Sequence, residues 1–161
     1  MAVSLHCYLE CDSGRKKGPV VRFLVVDDFE PFRCWVSSFL GHKILWKIVA
    51  EASDGLGAIQ KAEEFRPDLI LLDIRLPKLS GIQAAQNILD SLPESKIIFV
   101  TQETSLEIVR ETLRLGALGY VAKARAAAEL TKAIEAALQG RRFISNGLAR
   151  MHEEGVSLKR S

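Results

Sequence analysis

The sequence predicts an α/β domain built on a parallel sheet. Short apolar runs alternate five times with amphipathic helical stretches, and nearly every run stops at a polar or charged residue. Runs that are apolar throughout, rather than alternating apolar and polar, suit strands buried on both faces by covering helices. The strand–helix alternation implies parallel strands joined by right-handed crossovers. A length of 161 residues fits one such domain with short extensions.

The elements follow in order. Val20 to Val26 forms the first strand and runs into Asp27-Asp28. A helix starts near Pro31, where a missing N–H costs nothing, and carries Phe32, Val36, Phe39 and Leu40 as its apolar stripe. Trp46 to Glu51 reads as the second strand. Gly55 to Phe65 reads as a helix buried through Ala58, Ile59, Ala62 and Phe65, and Arg66-Pro67-Asp68 stops it. Leu69 to Leu72 is the third strand and ends at Asp73. A loop with Pro77 and Gly81 leads to a helix carrying Ala85, Ile88, Leu89 and Leu92, closed by Pro93. Lys96 to Thr101 is the fourth strand. The helix from about Ser105 to Leu115 turns Leu106, Val109 and Leu113 inward, with Gly116 as its C-cap. Gly119 to Ala122 is the fifth strand, ending at Lys123. The last helix shows the cleanest period, through Leu130, Ala133, Ile134, Ala137 and Leu138, and ends at Gly140. Residues 1–19 then form an N-terminal extension, 20–144 the domain, and 145–161 a C-terminal tail with one more helical turn. The sequence has no internal repeat.

Composition narrows the function classes. A hydrophobic content of 48% with 26% charged residues is enough to bury an ordinary core. The longest apolar run falls short of the roughly 18 residues a membrane span needs. The N-terminus lacks an apolar signal-like core, so a cytoplasmic protein is expected. Cys7, Cys11 and Cys34 form no CxxC pair, so reduced thiols are expected rather than a zinc site. Residues 1–22 hold four basic and two acidic groups, and residues 141–161 hold five and two. Residues 23–140 hold thirteen and sixteen, so the body is mildly acidic between basic ends. It lacks the dense basic face of a nucleic-acid binder.

If the runs are parallel strands, Asp27, Asp28, Asp73, Thr101 and Lys123 gather at one edge of the sheet, where α/β proteins bind ligands. Taken singly, each has an ordinary explanation. An Asp after a strand is commonly a helix cap, as is a Thr; a terminal Lys is commonly solvated, and Tyr120 is ordinary core. Their conjunction after four of five strands is not explained that way. Three clustered carboxylates repel one another unless a cation neutralises them. Their hard oxygens suit Mg²⁺, which is usually held by one or two carboxylates together with a phosphate. An ammonium and a hydroxyl beside them would stabilise a transferring phosphoryl group, with Asp73 as nucleophile.

This arrangement resembles the receiver domain of bacterial two-component response regulators. The residues that carry the likeness are Asp27-Asp28, the Leu71-Leu72-Asp73-Ile74-Arg75-Leu76-Pro77 segment with Gly81, Thr101, and Gly119-Tyr120-Val121-Ala122-Lys123. The likeness extends from about Val20 to Phe143. Gly140-Arg141-Arg142-Phe143-Ile144-Ser145 is similar to receivers that precede a LuxR-type helix-turn-helix. The resemblance implies a flavodoxin-like fold with five parallel strands in the order 2-1-3-4-5. It also implies that Asp73 accepts a phosphoryl group from a histidine kinase. Mg²⁺ would be bound by Asp28 directly, by Asp27 mainly through water, by Asp73, and by the backbone carbonyl of Arg75. Lys123 would pair with Asp73 and then with the phosphoryl group. Thr101 would swing toward that group and Tyr120 would turn inward after it. A partner protein, or a second copy in a homodimer, would meet the face made by the fourth helix, fifth strand and fifth helix.

Neighbours at three places bear on the site. Ala124 follows Lys123 where many receivers have proline in a cis bond. Gln102 follows Thr101 where a small residue is usual, and narrows access to Asp73. Arg75 and Glu103 each lie two residues past a site residue, and are expected to pair across the mouth of the site. An aspartyl-phosphate phosphatase of the haloacid dehalogenase type is the rival enzyme, but it needs an Asp two residues beyond the nucleophile. Arg75 and Phe29 stand at the corresponding positions here. A nucleotide or flavin site is opposed by the glycine-free, acidic loop Asp27 to Pro31. Only 21 residues follow Gly140, so direct nucleic-acid binding by this chain is not expected. The alternative is that it forms the receiver portion of a longer DNA-binding regulator.

Overall fold

The computed structural model describes residues 19–158. The N-terminal extension with Cys7 and Cys11 lies outside the described residues, apart from Pro19. The elements are β1 (Val21–Val26), α1 (Glu30–Leu40), β2 (Trp46–Ala52), α2 (Gly55–Phe65), β3 (Leu69–Leu72), α3 (Gly81–Ser91), β4 (Lys96–Thr101), α4 (Leu106–Arg114), β5 (Gly119–Ala122), a 3-10 turn (Lys123–Arg125), α5 (Ala126–Leu138), β6 (Phe143–Ile144) and α6 (Asn146–Leu158).

The strands form one sheet in the order β2-β1-β3-β4-β5-β6, and every pairing is parallel. The first five strands stand in the expected order. The expected five-stranded sheet is corrected by β6, a sixth strand of two residues on β5. The expected tail is likewise a 13-residue helix, α6.

The apolar runs bury both faces of the sheet through period-2 alternation. Leu24, Val26, Ile97 and Phe99 point to one side, where Ala62 of α2, Ile88 of α3 and Val109 of α4 cover them. Phe23, Val25, Ile98 and Val100 point to the other, under Val36 and Leu40 of α1 and Leu130 and Ile134 of α5. Local chemistry sets several helix starts. Pro31 lies in the first turn of α1. Asp54 caps α2 by accepting from the Gly57 N–H at 2.7 Å, a bond that holds its carboxyl below the usual range. Ser80 caps α3 by accepting from the Gln83 N–H at 3.3 Å.

Gly81 opens α3 directly against the backbone of Asp73, and a Cβ there would collide with the Asp73 carbonyl oxygen. The Gly81 N–H donates to the Ile74 carbonyl at 2.8 Å, which folds the loop back tightly over the strand end. No helix among the described residues is long and apolar enough to cross a membrane.

Candidate functional site

Parallel register brings the strand ends together. Val26 stands beside Leu72, and the Asp73 N–H donates to the Val26 carbonyl at 3.0 Å, so Asp27 and Asp73 emerge side by side. Thr101 stands beside Ala122, which places Thr101 next to Lys123 on the adjoining strand ends. One carboxylate oxygen from each of Asp27, Asp28 and Asp73 lies within 4.8 Å of the others.

None of these residues caps a helix. Phe29, Ser80 and Ser105 occupy the cap positions of α1, α3 and α4. Asp27, Asp73 and Thr101 are buried, whereas Asp28 is exposed. Asp73 Oδ1 accepts from the Ile74 N–H at 2.7 Å, and Oδ2 accepts from the Lys123 ammonium at 3.0 Å. Asp27 Oδ1 accepts from the Phe29 N–H at 2.9 Å. Its Oδ2 lies 2.6 Å from Lys123 Nζ as an ion pair, so one ammonium serves two buried carboxylates.

The electrostatics follow from this geometry. Burial pushes the Asp27 carboxyl above its usual range, and the Asp73 charge adds to the effect. The Lys123 ammonium and the Phe29 N–H oppose the shift without reversing it. Burial opposes the charged form of Lys123, but its bonds to Asp27 and Asp73 outweigh that and hold the ammonium above its usual range. The Lys123 side chain is only 13% exposed, so it is not a solvated strand end.

Thr101 Oγ1 accepts from the Glu103 N–H at 3.3 Å, which leaves its own hydroxyl proton available. Tyr120 is wholly buried and donates its phenol to the Glu103 carbonyl at 2.7 Å. Burial, with the Glu103 and Asp73 charges, pushes the phenol up and keeps it a donor. Glu103 thus touches both Thr101 and Tyr120. Arg75, in the loop after Asp73, is largely exposed and forms an ion pair with Glu103, as its position led one to expect. The Lys123–Ala124 peptide is trans.

A cleft of about 380 Å³ opens beside the carboxylates, lined by Phe29, Phe32, Thr101, Gln102, Lys123 and Ala124. A second cleft of about 430 Å³, between α3 and α4, is lined by none of the site residues. Three clustered carboxylates with a single ammonium among them, an all-oxygen donor set, fit a hard divalent cation such as Mg²⁺.

Two supports were not legible in the sequence. Phe32, which reads only as part of an apolar stripe, places its ring 4.6 Å from Lys123 Nζ. Arg33 donates from Nη1 to the Asp27 carbonyl at 2.6 Å and lies 3.8 Å from Glu51. Nothing in the spacing of α1 distinguishes either residue from its neighbours.

Residues 23–135 match the response regulator receiver domain family. The chain is similar to the transcriptional activator protein ExaE of Pseudomonas putida, with 34% identity over 78% of this chain and 59% of that protein. It is also similar to the response regulator GacA of Pseudomonas viridiflava, with 32% identity over 81% and 61% respectively. Among solved structures it resembles a two-component response regulator of the LuxR family from Aurantimonas sp. SI85-9A1. The TM-score is 0.82 and the identity 31%, covering 86% of this chain and 99% of that one. The chain spans about three fifths of the length of these curated relatives.

Proposed function

The chain belongs to the response regulator receiver domain family, and from that premise we propose that it is a phosphorylation switch whose own Asp73 is the substrate. It is a receiver domain of two-component response regulators. The observation that carries the finer reading is the buried Asp73–Lys123–Asp27 group, two carboxylates on one ammonium, with Asp28 close by.

Asp27, Asp28, Asp73 and the Arg75 backbone carbonyl would hold Mg²⁺. The bound ion would supply charge neutralisation for the incoming phosphoryl group. Asp73 is held for attack, since the Ile74 N–H fixes one carboxylate oxygen and the Lys123 ammonium the other. An Asp73 oxygen forms a bond to phosphorus while the bond to the donor breaks, and the leaving group keeps that electron pair. With a phosphohistidine donor the leaving group is the imidazole of a histidine kinase. Lys123, freed from the esterified carboxylate, pairs with the phosphoryl oxygens, and the Thr101 hydroxyl donates to one of them. Thr101 and Tyr120 share Glu103, so movement of Thr101 carries to the wall formed by α4, β5 and α5. That wall is the proposed docking face for a partner or a second copy. The helix α6 packs on α4, so a partner meeting that face meets α6 as well.

The Arg75–Glu103 ion pair is proposed to stand across the mouth of the site and slow water attack on the acyl phosphate. The domain acts on itself rather than turning over a substrate, and a cytoplasmic setting fits its kinase partner. The second reading, the receiver portion of a longer DNA-binding regulator, is favoured by one observation: its relatives, ExaE among them, are longer.

The test is incubation with Mg²⁺ and acetyl phosphate followed by intact mass measurement. The wild type gains a phosphoryl group and Asp73→Asn does not. Equal labelling of both would overturn the assignment.

A further inference from the structure

The Lys123 ammonium has three sides to satisfy. Asp73 Oδ2 takes one as an aligned hydrogen bond at 3.0 Å, and Asp27 Oδ2 takes another as an ion pair at 2.6 Å. The third is faced by the ring of Phe32, 4.6 Å from Nζ to the centroid. The negative face of an aromatic ring attracts a cation, and more strongly once the cation has lost its water, as this largely buried one has.

Phe32 is itself held in place. Its ring stacks on Trp35 at 5.6 Å and 27°, and Trp35 stacks on Phe39 at 5.0 Å and 28°. The aromatic column along α1 therefore ends beneath the ammonium of the site. All three rings pack against the core formed with α5 and the sheet. Phe32 alone of the three also lines the open cleft, which it shares with Lys123 and Thr101.

We propose that Phe32 is a positioning residue for phosphoryl transfer, holding the Lys123 ammonium through its ring face. The inference rests on the receiver reading and deepens it. Before transfer, the ammonium has both carboxylates and the ring. When Asp73 becomes an acyl phosphate, the ammonium exchanges that carboxylate for the phosphoryl oxygens, and the ring fixes where Nζ stands during the exchange. A displaced ammonium costs rate at this step, because transfer needs the reacting groups held in near-attack geometry.

The test replaces Phe32 with its mono-, tri- and pentafluorinated analogues, which keep the shape of the ring while draining and finally inverting the charge of its face. Phosphorylation by acetyl phosphate with Mg²⁺ is followed by intact mass. The rate falls stepwise along the series, by about tenfold at the pentafluoro ring. Phe32→Leu falls comparably, whereas Phe32→Tyr stays near wild type. In a Lys123→Ala background, where the residual rate is followed over longer times, fluorination has no further effect. A rate that is flat or rising along the series overturns the proposal, as does an equal loss with and without Lys123. If the wild type takes up no phosphoryl mass, the receiver reading itself fails.

Discussion

Asp27 and Glu129 are both carboxylates almost wholly removed from water, 1% and 3% exposed, yet their surroundings are opposite. Glu129 of α5 is fully satisfied. It accepts from Ser145 Oγ, from Arg125 Nε at 2.7 Å and from the Asn146 N–H at 3.3 Å. Burial would push its carboxyl up, but these three bonds together outweigh it and hold the group below its usual range. Ser145 in turn accepts from the Ala122 N–H at 2.9 Å, and its own N–H donates to the Tyr120 carbonyl at 2.9 Å. This cluster joins α5, β5 and the start of α6 and leaves nothing open. The Asp27 cluster holds two buried carboxylates for one ammonium, with Asp28 beside them. Buried charge that is not balanced costs stability, so the incomplete cluster points to a cationic ligand and the complete one to architecture. Substitutions in the two clusters and at the rim of the site separate them.

The largest expected effect is at the incomplete cluster. Asp73→Asn abolishes phosphoryl uptake measured by mass, whereas Glu129→Gln, in the complete cluster, retains it.

Next, Glu129→Ala strips Ser145 Oγ and the Asn146 N–H of their acceptor. It should lower urea-derived stability by about 2–4 kcal/mol. The pH dependence has a definite sign. A carboxyl whose folded pKa is depressed contributes stability that is fully present above its unfolded pKa and is lost as pH falls through the folded value. The stability gap between wild type and Glu129→Gln therefore narrows on acidification below the usual carboxylate range. A gap that widens would refute the complete-cluster account.

Asp27→Asn should do the opposite of Glu129→Ala and raise stability in metal-free buffer, on the order of 1 kcal/mol, since it relieves a carboxylate that burial disfavours. It should also blunt stabilisation by Mg²⁺, which for the wild type reaches about 2.7 kcal/mol at a hundred times Kd. Thermal melts with and without Mg²⁺ measure both, and a destabilised variant with an intact Mg²⁺ response would contradict the comparison.

The smallest effect on stability is at the rim. Arg75→Ala removes a largely exposed partner and should change stability by less than about 0.5 kcal/mol. It should still speed loss of the phosphoryl group several-fold, measured by mass after removal of donor. Unchanged or slower loss would separate the Arg75–Glu103 pair from protection of the site.

The amino-acid order by itself determined the strand sequence and which side chains leave the strands at the ligand edge. In a parallel sheet of continuously apolar runs, the end of each run is the end of each strand, so Asp27, Asp73, Thr101 and Lys123 are placed by local pattern alone. Position also sufficed for Arg75 and Glu103, because both lie a fixed step beyond a strand-end residue. The C-terminal part was not legible. Phe143–Ile144 is too short to show a strand period, and α6 gains its clearest buried anchor from Leu148. Only the tertiary structure decided that Glu129 meets Ser145 and that Phe32 reaches Lys123. It alone decided that one ammonium serves both Asp27 and Asp73. These depend on how helices on two faces pack around the sheet, and contacts between distant side chains carry no period along the chain.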